Sequence, residues 1–472
     1  MAERYPILTS LFRSIKQIVR LQISRLNELD VKDYPYNSSR KHIQLIRAFY
    51  ENSLDIIKNL EEEFQKTKSK EDFEEIATLL KQISQTLTWI SGNAINIISS
   101  STRENVSQNT VFLINHLTAP FNDKSEFILI PTDDHNYEIT YWGIILDRLS
   151  ARLSALFGVQ TKKLPHDPKS FSILSFPAVY KDNLVAHSLM GHEIGHFIIL
   201  HESLEEELSK HITINSSKFN EIASLEITKE KLKNKGKLKD AEKDKIKNEI
   251  HERIFSNIMA GAEEILCDLI GFRTMGPVLL FATVEFLLSE TPTYKIYQNY
   301  PPPALRLQAL IDEIKLGGFV EKLTGELKVD FKELVTNIED HISPENIGNY
   351  SQEELLQYST CKQIIPELRK IADGVITRHP ELKYSAETFG SDLPILIKKL
   401  RRLIPPCENK RGIPANIISI LNSGMIFRLL TKKYYPDTYD DFESNIDPLV
   451  LRATHQSFIQ KTLQEKIKEI EK

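Results

Sequence analysis

The stretch Leu184-Val185-Ala186-His187-Ser188-Leu189-Met190-Gly191-His192-Glu193-Ile194-Gly195-His196-Phe197-Ile198-Ile199-Leu200-His201 decides how this chain is read. Asp182-Asn183 supplies an N-cap ahead of it, and the spacing predicts a helix from about Leu184 through His201. Four residues make about one helical turn, so His192 and His196 stand on one face and reach the same ion. Glu193 sits about 100° around the helix from His192, beside the ion without being aimed at it. That position suits a general base acting on a zinc-activated water. Composition alone predicts about 0.03 matches to His-Glu-x-x-His in such a chain. Leu189, Met190, Ile194, Phe197 and Ile198 mark the helix as buried, where imidazoles and a carboxylate need partners because unpaired burial is costly. His187 and His201 lie five residues from a candidate ligand and read as bystanders.

A catalytic zinc takes three protein ligands and keeps one position open. A third His ten residues after the first is excluded, because position 202 is Glu202 and position 199 is Ile199. The better source lies downstream, in Gly261-Ala262-Glu263-Glu264-Ile265-Leu266-Cys267-Asp268. Glu264 and Asp268 are again four apart on one face. Glu264 can ligate the ion, and Asp268 can accept the second ring N–H of a ligating His. Glu263 is a rival ligand, but only Glu264 has an acid four residues on. Cys267 is expected to face another side as a buried free thiol. Ala260, Gly261 and Ala262, with Gly191 and Gly195, are small enough for the two helices to approach closely.

This motif pair resembles the gluzincin-type zinc metallopeptidases, and in motif spacing it is closest to their soluble Ste24/HtpX-like members. The resemblance covers residues 184 to 275. It implies Zn2+ held by His192, His196 and Glu264, Glu193 as general base, and Asp268 as partner of a ligating His. The separation of the motifs exceeds that of the thermolysin-like group, and the membrane spans of the Ste24/HtpX-like group are absent. No Gly-Ala-Met-Glu-Asn stretch of the aminopeptidase kind is present, which favours an endopeptidase. Such enzymes need a donor for the tetrahedral oxyanion. Tyr294, Tyr297 and Tyr300 follow the glutamate helix, with Arg306 after Pro301-Pro302-Pro303, and Tyr300 and Arg306 are the candidates.

The chain has 472 residues, 41% hydrophobic and 26% charged, with a formal net charge of −5. This composition is that of a globular protein with a large core. It lacks the basic excess of a nucleic-acid binder, so no nucleic-acid partner is expected. Three cysteines make no disulfide framework and read as free thiols of a reducing compartment. Residues 1–21 lack the apolar core of a signal peptide, and the most apolar run, 277–288, is too short to span a bilayer. A cytoplasmic protein without a membrane span is expected.

The fold expected is mainly α, with a zincin-like catalytic core containing a small β element between helical flanks. Residues 1–120 carry apolar positions at helical spacing, as in Leu8, Leu11, Phe12, Ile15, Ile18 and Val19, and read as a helical bundle. Residues 121–310 form the catalytic domain. Phe127-Ile128-Leu129-Ile130-Pro131 and Phe171-Ser172-Ile173-Leu174-Ser175-Phe176 read as strands. The second is either an edge that takes up an extended peptide or a buried core strand. A charged helical insertion occupies about 203–252, with Gly236 able to turn a hairpin, and is either a solvated flank or else a lid or a docking surface for a regulator. Residues 311–472 are again helical. The expected function is peptide-bond hydrolysis of a protein or peptide substrate, with regulation through the flanks or the insertion. The alternative is a zinc-binding sensor or interaction protein with a structural or vestigial metal site.

Overall fold

The computed structural model describes residues 6–66, 69–121, 125–134, 136–157, 164–167, 170–233, 238–290, 300–342, 350–409 and 412–470. Among them the chain is mainly helical, with one three-stranded sheet. It divides into two compact units: Met1–Val111 with Phe121–Lys181, and Phe112–Pro120 with Asp182–Lys472. The sheet belongs to the first unit and both metal-motif helices to the second. The three-part division expected from the sequence cuts the chain at other places.

In the first unit, α1 (Pro6–Asp30), α2 (Asn37–Lys66) and α3 (Lys70–Ser100) pack against one another. Leu8, Phe12, Ile15, Val19 and Leu26 form the buried stripe of α1, the helical period read in the sequence. Ser69 caps α3 by accepting the Asp72 N–H, and Glu71 and Asp72 complement the helix dipole there. α4 (Gln108–Thr118) spans the division between the units. β1 (Glu126–Thr132), β2 (Glu138–Thr140), α5 (Trp142–Phe157) and β3 (Phe171–Pro177) follow. β3 lies between β1, its parallel partner, and β2, its antiparallel partner. The segment Phe171–Phe176 is therefore the central strand, buried along most of its length. Its backbone groups are taken by both neighbours, so it does not serve as a free edge for strand addition.

The second unit is built around one helix. It comprises α6 (Met190–His201), α7 (Glu205–His211), α8 (Ser216–Lys233), α9 (Asp240–Met275), α10 (Val278–Glu290), α11 (Pro303–Leu316), α12 (Gly325–His341), α13 (Gln352–Arg378), α14 (Ala386–Leu400), α15 (Ile417–Tyr434) and α16 (Tyr439–Ile470). α6, α8, α11 and α13 all pack on α9. α9 has 36 residues, a length of about 54 Å at 1.5 Å per residue. Its charged first turns belong to the 203–252 stretch, and its last turns, from Ile258 on, are almost wholly buried. The expected insertion thus runs without a break into the glutamate helix. α8 folds back along α9 and buries Ile222, Ala223 and Ile227. Gly236 lies outside the described residues. α9 stops at Gly276, whose φ of 67° suits a residue without a side chain, and a Cβ there would meet the Tyr384 ring at 2.5 Å.

α6 begins later than the sequence predicts. Residues Ala186–Leu189 form a tighter 3-10 turn, whose Ala186 N–H is capped by the Asn183 side chain at 3.0 Å. Beyond the site, Glu313 of α11 is almost fully buried and is bound by Arg273 of α9 and Arg369 of α13. No helix among the described residues is long and apolar enough to cross a membrane. Cys267, Cys361 and Cys407 are free thiols, the first two buried.

Candidate metal centre

α6 and α9 run antiparallel, and four residue pairs fix their register. Gly191 lies against Gly271, Gly195 against Cys267, His192 against Asp268 and His196 against Glu264. Each advance of four residues on α6 is matched by a retreat of four on α9. A glycine inside a helix costs about 1 kcal/mol relative to alanine. Here the absence of side chains at 191 and 195 lets the backbones approach. A Cβ at Gly195 would come within 2.8 Å of the Cys267 Cα. On the α9 side the facing residues are Cys267 and Gly271. Cys267 therefore faces α6 beside His196, contrary to the expectation that it looked elsewhere, and it remains a buried free thiol. Burial pushes its pKa up to about 12.

The close approach brings His192, His196 and Glu264 together, with one ligand atom of each within 4.8 Å of the others. His192 Nε2 is 3.3 Å from Glu264 Oε2, and His196 Nε2 is 3.4 Å from Glu264 Oε1. Donors about 2.0–2.1 Å from a tetrahedral zinc stand about 3.3 Å from one another, so this spacing suits that ion. Both imidazoles present Nε2 to the centre because their Nδ1 atoms are engaged elsewhere. His192 Nδ1–H donates to Asp268 Oδ1 at 2.8 Å, as the spacing of Glu264 and Asp268 predicts. His196 Nδ1–H donates to Glu263 Oε1 at 2.9 Å. Glu263, weighed in the sequence only as a rival ligand, turns away from the centre to hold the second imidazole. One sequence signal pointed there: two histidines one turn apart need two acceptors, and Glu263 is the other acid of that motif.

Arg306 enters from α11. Its Nε donates to Asp268 Oδ2 at 2.7 Å, one Nη to Asp268 Oδ1 at 2.9 Å, and the other Nη reaches Glu264 Oε2 at 3.1 Å. All three nitrogens of this candidate oxyanion donor are thus directed at Asp268 and Glu264. Tyr300 is 45% exposed and lies within electrostatic reach of Glu264, His196, Arg306 and Glu193. Tyr294 and Tyr297 lie outside the described residues. His187 is buried in the turn ahead of α6, and His201 stacks on Phe197 at 5.4 Å. Glu202, at the position of the excluded third His, is paired with Arg378 and His379.

The electrostatics separate the carboxylates. Burial pushes Glu264 up, but Arg306 and the two imidazoles outweigh it and hold the group well below the usual glutamate range. Asp268 is likewise driven up by burial and brought below its ordinary value by Arg306 and His192. Glu193 is the exception: burial raises it, and the neighbouring imidazoles only partly compensate. Burial lowers His192 and His196, yet both end raised, His192 chiefly through Asp268 and His196 through Cys267, then Glu263 and Glu264. Tyr300 is raised first by the charge of Glu264 and keeps its O–H. Asp268 and Glu264 thus share one guanidinium, while Glu264 also faces both imidazoles.

Compared with protein-family models, with curated proteins and with solved structures, the chain matches none.

Proposed function

We propose that this chain is a zinc-dependent endopeptidase of gluzincin type, with a zincin-like core on α6 and α9. The observation that carries the reading is the convergence of His192 Nε2 and His196 Nε2 on the two oxygens of Glu264, at 3.3 and 3.4 Å. His192, His196 and Glu264 would hold the zinc, which would supply Lewis-acid activation of water and of the scissile carbonyl. Glu193 accepts a proton from the attacking water and delivers it to the departing amine nitrogen. Its raised pKa, beside carboxylates held low, suits a group that must both take up and release a proton. Tyr300 offers its O–H to the oxyanion. Arg306 acts through others, orienting Asp268 and Glu264.

The test is Glu193→Gln, with zinc content and hydrolysis of an unfolded protein substrate both measured. The variant should keep its zinc and lose hydrolysis. Full activity in the variant sinks the mechanism. A wild type that binds zinc and hydrolyses nothing favours the sensor or interaction reading instead.

A further inference from the structure

We infer that Glu263 is a positioning residue for His196 and sets how long the metal is retained. This rests on the reading of His192, His196 and Glu264 as the zinc ligands. The two imidazoles are held by carboxylates of opposite character. Asp268 is fully buried, and Arg306 grips both of its oxygens. Glu263 leaves 34% of its side chain in solvent and holds His196 through a single oxygen, Oε1, at 2.9 Å.

The difference has a consequence. The His192 arm is fixed by a short side chain in a sealed, charge-paired setting. The His196 arm is fixed by a longer side chain whose ordering competes with water and rotamer freedom. Release of the metal requires one imidazole to swing away from Glu264, and the arm with the partly solvated partner is the easier one to move. Glu263 therefore governs metal exchange. Asp268 cannot be probed in the same way, because its removal leaves Arg306 buried without its main partner. Glu263 can, since its side chain is partly in solvent and its loss leaves the Arg306–Asp268 pair intact.

The experiment compares wild type, Glu263→Ala and Glu263→Gln as full-length protein. Zinc affinity is measured by competition with a chelating dye, release by transfer of zinc to excess chelator, and stability by thermal unfolding without metal. Wild type should bind one zinc per chain. Glu263→Ala should bind about 10–100-fold more weakly, through faster release. Glu263→Gln keeps an acceptor oxygen at the same reach and should recover most of the loss. Metal-free stability should fall modestly in Glu263→Ala, which loses the bond to His196, and less in Glu263→Gln, so affinity and release are compared under conditions where all three are folded. With cobalt(II) in place of zinc, wild type and Glu263→Gln should give the same visible spectrum, because the ligand set is unchanged.

Zinc retention in Glu263→Ala equal to wild type overturns the inference. So does a Glu263→Gln variant with an altered cobalt spectrum, which would make Glu263 a ligand. A wild type that binds no zinc overturns the ligand assignment and this inference with it. If Glu263→Ala does not fold, Glu263→Met, which keeps the chain length but offers no oxygen to His196, takes its place: release faster than in Glu263→Gln supports the inference, and equal release overturns it.

Discussion

Gly195 and Cys267 touch so closely that a Cβ on the glycine would stand 2.8 Å from the cysteine Cα and 3.0 Å from its carbonyl oxygen. Both obstacles are backbone, which cannot rotate aside. This contact sets the distance between α6 and α9, and so the distance of His192 and His196 from Glu264.

Gly195→Ala should therefore be destabilising, although alanine is the better helix former. Forcing a methyl into a packed interface costs about 1–3 kcal/mol. Separating the helices should also weaken zinc binding. Gly92 in α3 is the control, because nothing lies within 4 Å of a Cβ there. Gly92→Ala should stabilise by about 0.5–1 kcal/mol. Denaturant unfolding of both variants, with a zinc titration of the first, measures the contrast. A Gly195→Ala protein as stable and as zinc-avid as wild type would show that the contact sets neither.

Arg306 neutralises two buried carboxylates with one planar fork. Arg306→Met should leave Asp268 and Glu264 buried without their cation, a loss on the order of 3–5 kcal/mol. Arg306→Lys should recover only part, because an ammonium is a point charge and cannot serve Asp268 through two parallel N–H bonds. The shift in urea midpoint at constant slope is the readout. Complete recovery by lysine would mean that charge alone, and not the fork, is what the site uses.

His42 predicts a pH dependence within the first unit. Burial pushes its pKa down from 6.5 to about 3, and its Nε2 accepts the Trp142 indole N–H at 2.8 Å. The folded chain thus holds His42 neutral while the unfolded chain protonates it near its ordinary value. Between these two values the unfolded state binds the extra proton, so stability falls as pH drops through the window. The slope approaches about 1.4 kcal/mol per pH unit. Above the unfolded value this residue contributes no pH dependence. His42→Gln keeps an acceptor for Trp142 and should flatten the slope by that amount. Unfolding curves at neutral and mildly acidic pH compare the two proteins, and equal slopes would disprove the assignment.

Much of the second unit was legible because helical period is local. The spacings of His192 with His196 and of Glu264 with Asp268 place side chains on one face whatever surrounds them. The apolar stripe of α1 and the strand character of Phe127–Pro131 and Phe171–Phe176 follow from the same short-range geometry. The late start of α6 was less legible, because a 3-10 turn and an α turn place similar demands on the residues Ala186–Leu189.

The sequence by itself determined which side chains share a face, and hence that two imidazoles and a carboxylate were available as a set. Only the tertiary structure decided which atom meets which. It directed Glu263 to His196 and all of Arg306 to Asp268 and Glu264, turned Cys267 toward α6, and put Phe171–Pro177 in the middle of its sheet. The physical reason is register. Position along one helix is set by its own backbone, whereas partner choice between α6 and α9 is set by how closely two backbones far apart in the chain can pack. Gly191, Gly195 and Gly271 control that distance, and no local pattern reveals which residues they will face.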